Sequence, residues 1–167
     1  ALKRMGGNKY EFYVCSRNVR QRDEKQECYH DHNIYWDMAF KYDIENHLKD
    51  YLKKHPKEDW VCIQGEGVGS VQGNPLKLKE DDLYVFNFIT SSYGRFSSGE
   101  AKYILENWGM KHVPILGTVN FIGETLETMK EKADSNPDVM REGIVYRDLD
   151  GKRSFKNVSN AYLLSKK

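Results

Sequence analysis

Glu142-Gly143-Ile144-Val145-Tyr146-Arg147 is followed, after a polar turn at 148–152, by Ser154-Phe155-Lys156. Two short strand-like runs separated by turn residues predict a β-hairpin. The hairpin would carry a carboxylate on one strand and an ammonium group on the next. Such a pair suits a nucleotide phosphate with its metal ion, because the lysine neutralises phosphate oxygens and the carboxylate holds a cation directly or through water. Glu-Gly also opens strands for reasons of turn geometry, so the interpretation depends on segments upstream.

The bulk composition is that of a globular protein. The chain has 167 residues, of which 39% are apolar and 31% are charged, enough for one domain with a sizeable core. A formal net charge of +1 gives no overall attraction to polyanions, so any site for them must be local. No segment of the sequence resembles a signal peptide or an apolar run long enough for a transmembrane helix.

The three cysteines are scattered, at positions 15, 28 and 62. An odd and unclustered set argues against a disulfide framework and against a zinc knuckle, and it favours a reducing, cytoplasmic compartment. The segment Cys28-Tyr29-His30-Asp31-His32 has histidines at alternate positions, and no second ligand cluster accompanies it. We therefore interpret these histidines as surface or loop residues rather than metal ligands.

The order of predicted elements indicates an α+β domain around an antiparallel sheet, because most strands are joined by hairpins and only a few helices intervene. The hairpin that begins at Glu142 is expected to complete that sheet. A single domain over residues 1–167 is expected, since no linker or repeat interrupts the chain. The predicted strands are 1–5, 10–15, 60–63, 83–89 and the final hairpin, and 112–116 is a connecting strand or an extended piece. The predicted helices are 33–54, 97–108 and 124–133.

Two upstream segments place charged side chains after strands. Arg17 follows the strand that ends at Cys15, where a guanidinium group can grip a phosphate through two hydrogen bonds. Standing alone, it is more simply a surface arginine in a polar loop. Glu66 lies between Gly65 and Gly67, directly after the buried strand 60–63. The glycines let another molecule approach the backbone and the carboxylate can accept ribose hydroxyls, although a turn glutamate is an equal alternative.

An aromatic strand supplies a third candidate. Alternation along Tyr84-Val85-Phe86-Asn87-Phe88 sends the three aromatic residues to one face. We expect Tyr84 and Phe88 to lie nearer the core and Phe86 to offer its ring to a purine, a contact of roughly 1–3 kcal/mol.

Taken in order, these elements resemble the covalent nucleotidyltransferase superfamily of ligases and capping enzymes, and most closely its ATP-dependent RNA ligases of the second, dsRNA nick-sealing type. The resemblance covers about residues 10–167. Its most specific parts are 64–74, with the sequence Gln-Gly-Glu-Gly-Val-Gly-Ser-Val-Gln-Gly-Asn, the strand 142–147, and Ser-Phe-Lys-Asn-Val-Ser-Asn at 154–160. It implies an antiparallel-sheet adenylation domain that uses ATP and Mg²⁺ and acts on RNA ends, as a monomer.

The resemblance also implies roles for single residues. Arg17 would contact the nucleotide and the end of the nucleic acid, Glu66 would hold the ribose of ATP, and Phe86 would stack on adenine. Glu142 would act in catalysis by supporting the metal. Lys156 would be both catalytic and nucleotide-binding, through the α-phosphate.

Two departures from the family pattern stand out. The last motif usually has two lysines separated by one residue, but position 158 here is Val158, and Lys166 is the nearby substitute. The family's nucleophile is a lysine in Lys-x-Asp-Gly, and this motif is absent from the sequence. In the family the nucleophile precedes the strand that opens this chain. We therefore expect the chain to be the domain without its N-terminal part, able at best to bind nucleotide.

Two rival functions are compatible with the same residues. The first is a DNA ligase or capping-type nucleotidyltransferase, which the sequence disfavours mildly because it has no segment resembling an OB-fold. The second is a noncatalytic nucleotide- or RNA-binding module. A Lys-x-Asp-Gly motif encoded shortly upstream of Ala1 would distinguish an enzyme from such a module.

Overall fold

The computed structural model describes residues 1–21, 33–70, 78–134 and 142–165. They form two compact units, 1–113 and 114–167. The Cys28–His32 segment, the part of the motif at 71–74, and Lys166 lie outside the described residues. Within the described ranges, no helix is long and apolar enough to cross a membrane.

The first unit is built on a mainly antiparallel sheet. Its strand order is β2-β1-β3-β4-β5, and β6 pairs with β4 in the parallel sense. The sequence prediction of an α+β fold dominated by antiparallel pairing is confirmed. The strands are β1 Leu2–Gly6, β2 Lys9–Phe12, β3 Trp60–Val68, β4 Asp82–Thr90, β5 Gly94–Arg95 and β6 Lys111–His112, and the helices are α1 Ile34–Lys41, α2 Ile44–Lys54 and α3 Ser98–Asn107.

One face of this sheet packs on the helices. Fully buried side chains from β1, β3 and β4 join those of α2 and α3 in a single apolar cluster, and burial of these groups is the main favourable term in folding. Thr90, Asn87 and Asp82 of β4 are polar residues that are also buried. The cluster includes Leu2, Leu48, Leu52, Val61, Val85, Phe88, Ala101 and Leu105.

Two predicted elements of the first unit have other bounds in the structure. The helix expected over 33–54 is two helices, because Tyr42 ends α1 and Asp43 takes a left-handed backbone conformation at φ 46° before α2. The strand expected over 60–63 continues to Val68. Glu66 therefore lies within a strand rather than in a loop after one.

The second unit contains α4 Leu126–Asp134, the hairpin of β7 Gly143–Arg147 and β8 Ser154–Val158, and α5 Asn160–Ser165. The predicted hairpin is confirmed, with Val145 opposite Lys156 and Tyr146 opposite Phe155. However, β7 and β8 form a two-stranded sheet of their own and do not complete the larger sheet. Helix α4 packs on both strands, and this packing gives the hairpin the support that a two-stranded ribbon needs.

Candidate functional site

The hairpin of the second unit joins its two charged residues directly. Lys156 Nζ lies 2.6 Å from Glu142 Oε1, and both side chains remain about half exposed. The carboxylate and ammonium group predicted on neighbouring strands are therefore in contact. An exposed pair of this kind adds little stability, but it leaves both charges accessible to a ligand.

Backbone packing fixes where this pair stands. A Cβ atom on Gly143 would lie 2.1 Å from the carbonyl oxygen of Asn157, so the close approach of the two strands requires glycine here. The backbone N–H of Ser159 donates to the Glu142 carbonyl at 2.9 Å and extends the pairing by one residue. Gly143 thus allows the two strands to pack closely. This packing places the Glu142 side chain at the end of the hairpin.

The chemistry of these donors fits a magnesium ion that is held mainly by its ligand. Among the described residues, no three His, Cys, Asp or Glu side chains form a metal-binding cluster. Mg²⁺ keeps several waters and is commonly bound by one or two carboxylates together with substrate phosphates. An exposed Glu142 beside a lysine offers one such carboxylate and one charge for a phosphate.

In the first unit, Glu66 projects from the sheet face opposite the apolar cluster. It is exposed and pairs with Tyr84 of β4, and directly opposed residues share a face. The glycine before it is explained by packing within the chain, since a Cβ on Gly65 would lie 2.7 Å from the Tyr84 carbonyl oxygen. Gly65 therefore permits the close approach of the β4 backbone, whereas the sequence suggested the approach of another molecule.

The prediction that the three aromatic residues of β4 share one face is wrong. Gln64 pairs with Asn87 but Gly65 pairs with Val85, so the register passes over Phe86. Such a bulge shifts the alternation of side chains, and Val85 and Phe88 both enter the apolar cluster. Phe88 is a core residue, as predicted.

Tyr84 lies on the face of Glu66 rather than towards the core. Its ring is half buried and has the Lys111 ammonium 5.6 Å from its centroid. Lys111 is ion-paired with Asp82, whose pKa burial alone would raise but which hydrogen bonds from Lys111 and Tyr42 lower. The sequence pattern did not indicate that Lys111 lies beside Tyr84 and Asp82, because a strand of two residues leaves no periodic signal.

Arg17 lies at the tip of a tight turn. The Ser16 N–H donates to the Val19 carbonyl at 2.9 Å, and an isolated bridge joins Cys15 to Arg20. The Arg20 guanidinium lies 4.4 Å from the centre of the Tyr13 ring and so braces the base of the turn. Arg17 itself is exposed, where it can meet a phosphate in solution.

Comparison with known proteins assigns the chain to a family. The sequence model of RNA ligase matches residues 3–159, and the chain belongs to the RNA ligase family. None of the curated proteins compared with it matches. The family match disfavours the DNA ligase and capping-enzyme alternative.

Solved structures of an RNA ligase from Naegleria gruberi share the fold. The ligase with PPi is 30% identical at a TM-score of 0.78 and matches 98% of this chain and 47% of its own. A mutant of that ligase with ATP and Mn is 29% identical at a TM-score of 0.77, and the match covers 98% of this chain and 48% of the ligase chain. A second mutant, with AMP and Mn, is 30% identical at a TM-score of 0.78, and the match covers 98% of this chain and 47% of the ligase chain. This chain therefore spans about half the length of those ligase chains.

Proposed function

We propose that this chain is the adenylation part of an ATP-dependent RNA ligase, and that its two units together make one adenylyltransferase domain. The observation that carries the proposal is the contact of Lys156 on β8 with Glu142, the residue before β7, in a chain of the RNA ligase family. The complete enzyme would transfer AMP to a lysine, then to an RNA 5′-phosphate, and finally join that end to a 3′-hydroxyl.

Each described residue has a separate task in this proposal. Glu66 accepts the ribose hydroxyls, and the Phe86 ring stacks on adenine. Lys156 leaves its contact with Glu142 and neutralises an oxygen of the α-phosphate, because a phosphate carries more charge than an exposed carboxylate. Glu142 is then available to the metal ion. Arg17 grips a phosphate of the nucleotide or the RNA end.

Bound Mg²⁺ would supply charge that offsets the phosphate oxygens. The protein's own contribution is positioning, together with fixed charges already in place before the reaction. We further propose nicked or double-stranded RNA as the substrate, a monomer as the working form, and a cytoplasmic location, which the free thiols of Cys15 and Cys62 support.

Calorimetric titration of ATP with Mg²⁺ into the 167-residue chain tests the proposal. We expect Glu66→Ala and Lys156→Ala to weaken ATP binding with little change in unfolding midpoint, because both residues are exposed. Lys53→Ala is the matched control, since Lys53 is an exposed lysine whose ammonium lies 2.8 Å from Asp50. Absence of ATP binding, or equal weakening by all three substitutions, would contradict the proposal.

A second prediction follows from the missing Lys-x-Asp-Gly motif. The chain should bind ATP without forming a covalent enzyme–AMP adduct, because no lysine has the motif's setting at the α-phosphate. Incubation with labelled ATP and Mg²⁺, followed by a denaturing gel, should leave the protein unlabelled. A labelled band that maps to Lys3 would instead assign a nucleophile to β1.

A further inference from the structure

A pair of amide side chains crosses from β4 to β3 beside Glu66. Asn87 Nδ2 donates a hydrogen bond of 2.7 Å to Gln64 Oε1. Asn87 is only 5% exposed, whereas Gln64 is exposed. The buried amide thus holds the exposed one in a defined orientation, which an unrestrained surface glutamine would lack.

The register places this pair next to the two residues that the proposed function gives to adenosine. Gln64 and Glu66 are two apart on β3 and therefore share a face, about 7 Å from each other along the strand. Asn87 lies opposite Gln64, and the neighbouring Phe86 is the residue that the register passes over. A purine whose ribose is at Glu66 and whose ring stacks on Phe86 would bring its Watson–Crick edge, the part farthest from the ribose, towards Gln64.

The bonding of Gln64 decides what it can recognise. Its carbonyl oxygen accepts from Asn87, so its NH₂ group faces the ligand with two donors and no acceptor. Adenine presents an unprotonated N1, which accepts a hydrogen bond. Guanine and hypoxanthine carry a hydrogen on N1, and a second donor there would leave both groups unsatisfied, at a cost in free energy.

We propose that Gln64, oriented by Asn87, selects adenine over the 6-oxopurines through N1; this inference rests on the proposed function. The simpler alternative is that the pair only stabilises the bulge at Phe86. The alternative predicts effects on unfolding, whereas selection predicts effects on the ratio of nucleotide affinities.

The test measures binding of ATP, inosine triphosphate and purine riboside triphosphate to the full chain. Purine riboside lacks the 6-amino group but keeps an accepting N1, so it should bind nearly as well as ATP. Inosine triphosphate should bind roughly 5- to 150-fold more weakly. Gln64→Met removes the donors and should bring the ATP-to-inosine ratio towards one.

Gln64→Glu is the decisive variant. One carboxylate oxygen can still accept from Asn87, while the other replaces donors with an acceptor. We expect the ratio of affinities to reverse in favour of inosine triphosphate, even if the added charge weakens the binding of both nucleotides. Cys62→Ser, on the same strand and face, should leave the ratio unchanged.

The outcomes distinguish failure of nucleotide selection by Gln64 from failure of the proposed function. If the wild-type chain binds no ATP, the proposed function fails and this inference fails with it. If ATP binds but both Gln64 variants keep the wild-type ratio, this inference alone is overturned. Purine riboside triphosphate binding as weakly as inosine triphosphate would also overturn it, because selection would then act on the 6-amino group.

Discussion

At the scale of single residues, two glycines that strand packing requires stand beside the two glutamates proposed to contact a ligand. Gly143 is required because the Asn157 carbonyl oxygen occupies the space of a Cβ, and its neighbour Glu142 is thereby placed beside Lys156. Gly65 is required by the Tyr84 carbonyl oxygen, and its neighbour Glu66 projects from the open face of the sheet. In both places the glycine is structural and the adjacent glutamate remains available to a ligand.

Phe86 and Phe88 should behave oppositely when each is shortened. Phe86→Leu should weaken ATP binding by roughly 1–3 kcal/mol while the unfolding midpoint stays close to the wild-type value. Phe88→Leu should instead lower the free energy of unfolding by about 1–3 kcal/mol. Phe88 is fully buried, and its ring makes edge contacts with Tyr51, Phe96 and Trp108 at centroid distances of 4.9, 5.2 and 5.6 Å.

Calorimetry and thermal unfolding of the two variants provide the measurement. Intact ATP affinity in Phe86→Leu, together with loss in a folded Phe88→Leu, would show that the wrong ring was assigned to adenine.

At the scale of secondary-structure elements, the sequence was informative where a local rule specifies the structure. Helix α3 begins with a capping box in which Ser97 and Glu100 satisfy each other's backbone groups, and this pattern is visible in the sequence. The break after α1 is not visible, because the helical spacing of apolar residues continues across Asp43, which takes a left-handed conformation. The bulge at Phe86 comes from the pairing of β4 with β3, which alternation along one strand cannot reveal.

One side chain joins two elements of the second unit. Asp134 at the end of α4 accepts hydrogen bonds of 2.7 Å from the Ser159 hydroxyl and from the Asn160 backbone N–H at the start of α5. The Ser159 hydroxyl bond and those from the backbone N–H groups lower the pKa of the Asp134 carboxyl against the effect of burial. Ser159 also donates through its N–H to Glu142, so the carboxylate supports the residue that steadies the start of β7.

Asp134→Ala should therefore speed amide hydrogen exchange at Ser159 and Asn160 and loosen α5. Asp148→Ala is the control, because Asp148 accepts from the Arg153 N–H in the hairpin turn and should speed exchange only there. Exchange measured residue by residue by NMR distinguishes them. Unchanged protection of Ser159 in Asp134→Ala would mean that α5 is held by its apolar contacts alone.

At the scale of the whole molecule, the sequence predicted features that depend on residues close together in the chain. It did not predict features that depend on contacts between residues far apart in the chain. The α+β class follows from local patterns and is confirmed by the architecture, and the resemblance to RNA ligases is confirmed by the family match. The separation of β7 and β8 into a sheet of their own is decided by which strands meet across long stretches of chain, and a hairpin pattern looks the same in either arrangement. The roles of Arg17, Glu66, Phe86, Glu142 and Lys156 stay predictions.

Acid stability is a property of the folded first unit, and Glu58 should govern much of it. This carboxylate is 7% exposed and accepts bonds of 2.8 Å from the Ser91 hydroxyl and the Ser92 N–H. Burial alone would raise its pKa, but these bonds and the Ser92 hydroxyl lower it from 4.5 to about 2. A lowered pKa in the folded state means that the stabilisation is complete above the unfolded value and is lost as pH falls towards 2.

Glu58→Gln should accordingly lower the free energy of unfolding at pH 7 by about 1.5–3 kcal/mol, the range for hydrogen bonds to a charged group. The gap between wild type and variant should narrow as pH falls from 5 to 2, because protonation removes the same charge from the wild type. Denaturant titrations at several pH values measure that gap, and Glu106→Gln, at an exposed ion pair on α3, is the control. A gap that stays constant down to pH 2 would show that Glu58 stabilises the unit by its shape rather than by its charge.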